Sequence, residues 1–250
     1  MRLTANKWLK TSILMQNDKI RPAIPETLWM TKSSLQEMLN KYNMVYVKPN
    51  FGTFGIGVMK VEKEENGEQT WYHYQKGTQK RKFPSYSEMY ADLSRHTHKK
   101  RYLVQKGIRL LKCDQRPFDI RVMVQMNPSR KWEATGIIGR VAHPRKAVTN
   151  YHNGGTLRTV DQLLGNYMNP SERNKYMGKL AKLGVDAAEQ LHGKFRGLKQ
   201  IGVDIAIGKE LHPWILEVNF RPDPYIFRKL GNPKAYNKIL RYARAYKKVK

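Results

Sequence analysis

The sequence predicts an α+β protein of two lobes, each built on mainly antiparallel sheet with helices against it. Three features predict this. Strand-like runs come in pairs joined by short turns: Asn66-Gly67 separates Val58–Val61 from Trp71–Tyr74, and Asn127-Pro128-Ser129 separates an alternating run ending at Met126 from Trp132–Arg140. Such spacing makes hairpins rather than crossovers. Helical patterns stand between groups of strands rather than after every strand. The chain has 250 residues, 40% of them hydrophobic and 27% charged, enough for one large globular unit or two small ones.

In order along the chain, Trp8, Leu9, Ile13 and Leu14 mark a short helix that Pro22 and Pro25 close off. A second helix places Leu35, Met38, Leu39 and Tyr42 on one face, with Ser34 and Glu37 as a capping box. The strand Met44–Lys48 ends at Pro49, and a glycine-rich turn from Asn50 to Gly57 leads to the hairpin. A helix from Ser85, capped with Glu88, carries Tyr86, Met89, Tyr90 and Leu93 inward. Tyr102–Gln105 is a short strand, and Ile120, Val122, Val124 and Met126 then give a strand with one buried face. Residues 143–160 read as loop, and Pro170-Ser171 open the longest helix. The strands Ile201–Ile207 and Trp214–Phe220 and a basic helix after Pro233 complete the chain. The expected division is an N-terminal segment and helix over 1–43, a small lobe over 44–101 and a large lobe over 102–250.

The 47 Lys and Arg against 20 Asp and Glu leave a formal charge of +27, which favours anionic partners of some kind. The basic residues are spread along the chain, without zinc-finger, leucine-zipper or GxxG spacing, which argues against nucleic acid. An anionic polymer or a protein partner stays open. No apolar run approaches the length of a membrane span, and the first residues lack the pattern of a secretory signal. Cys113, the lone cysteine, has no internal partner and suits a reducing, cytoplasmic setting.

Two constellations can carry chemistry. Lys48 at a strand end is followed by Gly52, Gly55 and Gly57, with Thr53 among them. Glycines let backbone N–H groups approach a phosphate, and the lysine adds a full charge. The spacing is neither that of a P-loop nor of a dinucleotide fingerprint, so an ordinary glycine turn stays open. On the strand Trp214–Phe220, alternation puts Glu217 and Asn219 on one face with Ile215, and Leu216, Val218 and Phe220 on the other. Asp204 interrupts an apolar strand just before. Oxygen donors of this kind suit Mg²⁺, although a salt bridge for Asp204 and a solvated face for the other two are the alternatives. Asp119 and Arg121 share a strand face and Arg140 ends the partner strand, and arginine forks suit phosphoryl oxygens or carboxylates.

Lys48-Pro49 with its glycine loop, Tyr102–Ile108, Asp119-Ile120-Arg121, Asn150–Gly155, Gly202-Val203-Asp204 and Leu216–Asn219 stand in the order found in ATP-grasp enzymes. From about Lys7 to Pro224 the chain resembles the YheC/YheD-like, endospore coat-associated branch, related to the glutathione synthetase and ribosomal-protein glutamate ligase groups. The resemblance implies the ATP-grasp fold, with nucleotide between the lobes. It implies an ATP- and Mg²⁺-dependent ligase joining a carboxylate to an amine or a thiol through an acyl phosphate, and Mn²⁺ is an alternative metal. Lys48 would contact the α- and β-phosphates and Gly52–Gly57 would close over them. Gln105, Lys106 and Ile108 would form the hinge beside adenine, and Asn153 would lie near the phosphates. Asp204, Glu217 and Asn219 would hold one or two metal ions. Arg121 and Arg140 would hold the γ-phosphate, the acyl phosphate or the acceptor carboxylate, and Arg221 would meet substrate. The chain departs from the family pattern at Gln105-Lys106, where Gln-Glu is usual, and at Arg221–Pro224, where Pro-Gly is usual. The N-terminal α/β domain common in relatives is expected to be absent, which raises a homodimer or partner as a way to complete the substrate pocket. A non-catalytic, nucleotide-binding scaffold on a spore coat or another anionic polymer is the alternative to the ligase. Spore association in a spore-forming bacterium follows from the same resemblance.

Overall fold

A computed structural model describes residues 6–53, 55–144, 154–230 and 233–247. Two six-stranded sheets face one another across a cleft. The first has the order β1-β6-β2-β3-β4-β5, with β1 Thr27–Trp29, β2 Met44–Pro49, β3 Met59–Asn66, β4 Gln69–Lys76, β5 Gln79–Phe83 and β6 Tyr102–Lys106, every pairing antiparallel. The second has the order β10-β9-β8-β11-β12, with β7 Lys112–Cys113 attached to β8. Its strands are β8 Arg116–Met126, β9 Trp132–Val141, β10 Thr156–Arg158, β11 Gln200–Ile207 and β12 Pro213–Asn219, again all antiparallel.

Helices α2 (Lys32–Tyr42) and α3 (Tyr86–Thr97) cover one face of the first sheet, and Leu35, Met38, Met89 and Leu93 pack on Val45, Val47, Met59 and Val61. The cap of α2 is Thr31, not Ser34. Thr31 Oγ1 accepts the Ser34 amide at 3.0 Å and Ser34 Oγ accepts the Thr31 amide at 2.8 Å, so Ser34 is the third residue of the turn. Ser85 caps α3 through the Glu88 amide as expected. Gly67 and Gly77, at φ +61° each, turn the two hairpins of this sheet. β5 was not expected: its Gln79-Lys80-Arg81-Lys82 has no apolar alternation, and pairing with β4 alone makes it a strand. β6 hydrogen-bonds between β1 and β2, so the first lobe extends through Lys106 and reaches back to Thr27, beyond the 44–101 expected.

In the second lobe α5 (Pro170–Lys194), with Asn169 as cap and Pro170 in its first turn, lays Leu180, Ala187, Ala188 and Leu191 over Phe118, Ile120, Val122, Val203 and Ile205. α1 (Lys7–Met15) packs beside α5 through Ile13 and Leu14. β8 is buried on both faces rather than one, because α6 (Pro233–Lys247) and residues 225–230 cover Met123 and Gln125 from the other side. In the stretch expected as loop β10 forms, and α4 (Val160–Leu164), capped by Thr159, begins at its last residue. Among the described residues no helix is long and apolar enough to cross a membrane.

Candidate functional site

The cleft between the sheets encloses about 840 Å³ of empty space, its open mouth included. The first lobe contributes Tyr46, Lys48 and Pro49 of β2 and Gly52, Thr53, Gly55 and Ile56 of the glycine loop; the connector supplies Ile108 and Leu110. The second lobe contributes Asp119, Arg140, Asp204, Leu216 and Glu217, and α1 sends in Lys7.

Period two on β2 turns Tyr46 and Lys48 to the cleft while Val45 and Val47 enter the core. Lys48 Nζ donates to Gln105 Oε1, and Gln105 in turn donates to Thr27 Oγ1 at 2.9 Å. Burial pushes the Lys48 ammonium down to about 8, Glu217 drawing it back up. The glycine loop has the left-handed backbone its composition suggested: φ is +144° at Gly52, +70° at Gly55 and +77° at Gly57. A side chain at Gly57 would also stand 3.1 Å from the Tyr102 hydroxyl.

On the second sheet, register aligns Arg140 with Asp119, Arg121 with Asp204 and Asp204 with Glu217, so these five share one face. Arg140 clasps Asp119 with Nε at 2.8 Å and also with Nη2, which lies 3.0 Å from Asp204 as well. Arg121 grips Asp204 through Nε and, at 2.9 Å, Nη2. Burial disfavours a charge on Arg140, but Asp119 and Asp204 outweigh it and hold the guanidinium above its ordinary value. Burial likewise works against the Asp204 carboxylate, and Arg121 and Arg140 overcome it, leaving its pKa below the usual range.

The face assignment of β12 requires a correction. A bulge between Asp204 and Ile205 pairs Asp204 with Glu217 but Ile205 with Ile215. Leu216 is the extra residue and lines the cleft, whereas Ile215 joins Val218 in the core instead of sharing a face with Glu217. A bulge is invisible to an alternation rule.

Of the expected residues, Lys48, Gly52, Thr53, Gly55, Ile108, Arg140, Asp204 and Glu217 line the cleft together. Gln105 and Arg121 stand directly behind Lys48 and Asp204. Gly57 and Asn219 flank the site, the Asn219 amide donating to Asp204 at 3.4 Å. Lys106 turns away: its ammonium lies 5.0 Å from the Tyr42 ring and 4.6 Å from the Trp214 ring. Only its backbone remains at the connector, where its amide donates to Glu26 at 2.8 Å. Arg221 is exposed outside the lining. Asn153 lies outside the described residues.

Lys7 was missed. Its Nζ donates to the Gly52 carbonyl at 2.8 Å and sits 3.6 Å from Glu217. Lys10, one turn on, is 5% exposed, donates to the Val218 carbonyl, and is pushed by burial to about 8. Two lysines at i and i+3 on a short amphipathic helix were the available signal.

The Mg²⁺ that the fold family implies can be tested against these donors. Glu217 is partly exposed to the cleft with Lys7 as its one ion-pair partner among the described residues, and Asn219 keeps its Oδ1. Both are hard oxygen donors and fit such a cation. Asp204 is occupied on both oxygens.

The chain matches the family described as "YheC/D like ATP-grasp" over residues 2–249. It is 28% identical over 229 residues to the endospore coat-associated protein YheD of Bacillus subtilis, covering 89% of this chain and 49% of that protein. To YheC of the same organism it is 23% identical over 218 residues, covering 87% and 60%. The chain thus spans about half to three-fifths of these relatives. Among solved structures, D-cycloserine synthetase DcsG superposes with a TM-score of 0.58 at 11% identity, over 96% of this chain and 70% of that one. The D-alanine-D-alanine ligase of Coxiella burnetii gives 0.53 at 10% identity, over 98% and 58%. At such identities the likeness shows the ATP-grasp fold.

Proposed function

Because this chain belongs to the YheC/D-like ATP-grasp family, we propose that it is an ATP-dependent ligase that activates a carboxylate and passes it to an amine or a thiol. The observation that supports this best is one cleft holding Lys48 and a left-handed glycine loop on one wall and Arg140, Asp204 and Glu217 on the other. The structural neighbours named above as a synthetase and a ligase agree with the class.

In this reading Lys48 faces the α- and β-phosphates, and the amides of Gly52, Gly55 and Gly57 would serve the triphosphate. The apolar Tyr46, Ile108, Leu110 and Leu216 receive the base, with connector backbone reading its edge. Glu217 and Asn219 would hold Mg²⁺, which when bound offsets charge on the phosphoryl oxygens. A substrate carboxylate oxygen attacks the γ-phosphorus and ADP leaves. The amine nitrogen or thiol sulfur then attacks the acyl carbon, phosphate leaves, and the nucleophile gives up its proton. Arg140 keeps Nη1 beyond its pairs with Asp119 and Asp204, a donor for the charge that develops on the transferred group. Closure of the glycine loop excludes water from the acyl phosphate. No side-chain nucleophile is needed. From the names of the relatives, a spore-coat setting is part of the proposal.

One observation favours a second reading, a nucleotide-holding scaffold: Asp204 is fully engaged by its neighbours. ADP release measured against a panel of amino acids, dipeptides and anionic polymers, with mass spectrometry of the products, separates the two. The ligase requires release that depends on a carboxylate and an amine or thiol together and that Glu217→Ala abolishes. Nucleotide binding with no turnover on any pair refutes the ligase and leaves the scaffold.

A further inference from the structure

The family pattern puts an aspartate, a glutamate and an asparagine around the cations. Here the aspartate is already spoken for. One oxygen of Asp204 accepts Arg121 Nε and is ion-paired with Arg140 Nη2 at 3.0 Å; the other accepts Arg121 Nη2 at 2.9 Å and Asn219 Nδ2 at 3.4 Å. An ionised carboxylate has about four lone-pair sites, and each meets a donor. The backbone is shaped for this. A Cβ on Gly202 would stand 3.1 Å from both Cδ and Nη1 of Arg121 and 2.8 Å from Pro222 Cβ, so the glycine opens the path by which the guanidinium reaches Asp204. Asp119 fixes Arg140 from behind. The carboxylates Asp119, Asp204 and Glu217 are thus balanced by Arg121, Arg140 and Lys7 before any cation arrives. The one replaceable member is Lys7, at 3.6 Å from Glu217.

We propose that Asp204 is not a metal ligand in this protein but the shared counter-ion of Arg121 and Arg140, and that Glu217 with Asn219 forms a site for a single divalent cation. The inference rests on the nucleotide reading above. A cation at Glu217 displaces a lysine. A cation at Asp204 displaces an arginine fork, and a charge-assisted bidentate pair in a buried setting resists that. Asp204 is therefore a positioning residue, holding the two guanidinium groups at the cleft floor.

The test is the number of Mn²⁺ ions bound per nucleotide, read by paramagnetic resonance on the full chain with a non-hydrolysable ATP analogue. One ion per bound analogue is expected and two overturn the inference. Two variants assign the ligand. Glu217→Gln should weaken Mn²⁺ at least about tenfold while leaving the thermal midpoint in place. Asp204→Asn should leave Mn²⁺ affinity within about threefold but lower the midpoint by several degrees, because two buried guanidinium groups lose a charge partner. Loss of Mn²⁺ on Asp204→Asn with an unchanged midpoint overturns the inference, and the wild-type ion count decides alone if that variant does not fold. A fluorescent analogue titrated in parallel keeps the readings apart. Absent nucleotide binding overturns the ATP reading and this one with it, whereas bound nucleotide with two ions overturns only this one.

Discussion

Lys10→Met tests the electrostatics of the cleft floor. The Lys10 ammonium is buried against β12, and burial pushes it to about 8 from about 10.4 in an unfolded chain. That depression corresponds to roughly 3 kcal/mol of instability while both states are protonated. Between pH 8 and 10 the unfolded chain binds more protons at this site than the folded one, so stability rises with pH across that window. Methionine keeps the stem and removes the charge, at the cost of leaving the Val218 carbonyl without its donor, about 1–3 kcal/mol. At pH 7 the variant should therefore equal or exceed the wild type by up to about 2 kcal/mol, and its relative advantage should shrink by roughly 1–2 kcal/mol from pH 8 to 9.5. Urea unfolding at four pH values, without divalent cations, measures this. Taking the difference from wild type cancels the raised phenols of Tyr46, Tyr86, Tyr176 and Tyr246, which titrate the other way at higher pH. A difference that does not change with pH refutes the reasoning, and so does one that grows.

Arg140→Met takes from Asp119, 1% exposed, the guanidinium that grips both of its oxygens. It should cost about 3–5 kcal/mol in urea melts, part of which Asp119→Asn should restore in a double-mutant cycle. Asn169→Ala removes the cap that accepts the Glu172 amide at 3.0 Å and should cost about 1 kcal/mol, seen in the same assay without loss of nucleotide binding. Acid should weaken the fold by way of Asp204: its contribution is complete above about pH 4 and disappears as pH falls through its depressed folded value. Circular dichroism from pH 5 to 2 should show Asp204→Asn losing that part of the acid transition.

The order of elements was legible because the hairpin turns, caps and apolar periods are local. Asn66-Gly67, the Ser85–Glu88 cap and Pro170 in the first turn of α5 each set their own backbone. What local rules missed was decided by neighbours. β5 has no apolar face and exists through β4. The placement of β6 in the first sheet depends on β1, some seventy-five residues earlier in the chain. The second buried face of β8 needs α6, about a hundred residues later. At the site, residue types and order identified Lys48, the glycines, Arg140, Asp204 and Glu217: strand alternation aims Lys48, Arg140 and Asp204, and the turn between β2 and β3 presents the glycines. Which arginine meets which aspartate is a matter of register between strands, and the exchange of Ile215 for Leu216 at the cleft is a matter of one bulge. Lys7 and Lys10 were lost among 47 basic residues, their i, i+3 spacing on one short helix being a faint signal until the approach of α1 to β12 gives them partners.

A single ammonium, that of Lys7, tethers the cover of the cleft to its floor: one contact is the Gly52 carbonyl, the other Glu217. Whatever takes the glutamate from it leaves that ammonium on the Gly52 carbonyl, while the Lys7 and Trp8 amides still hold Asn50 at the base of the loop, so filling the floor shifts a full positive charge to the loop's side.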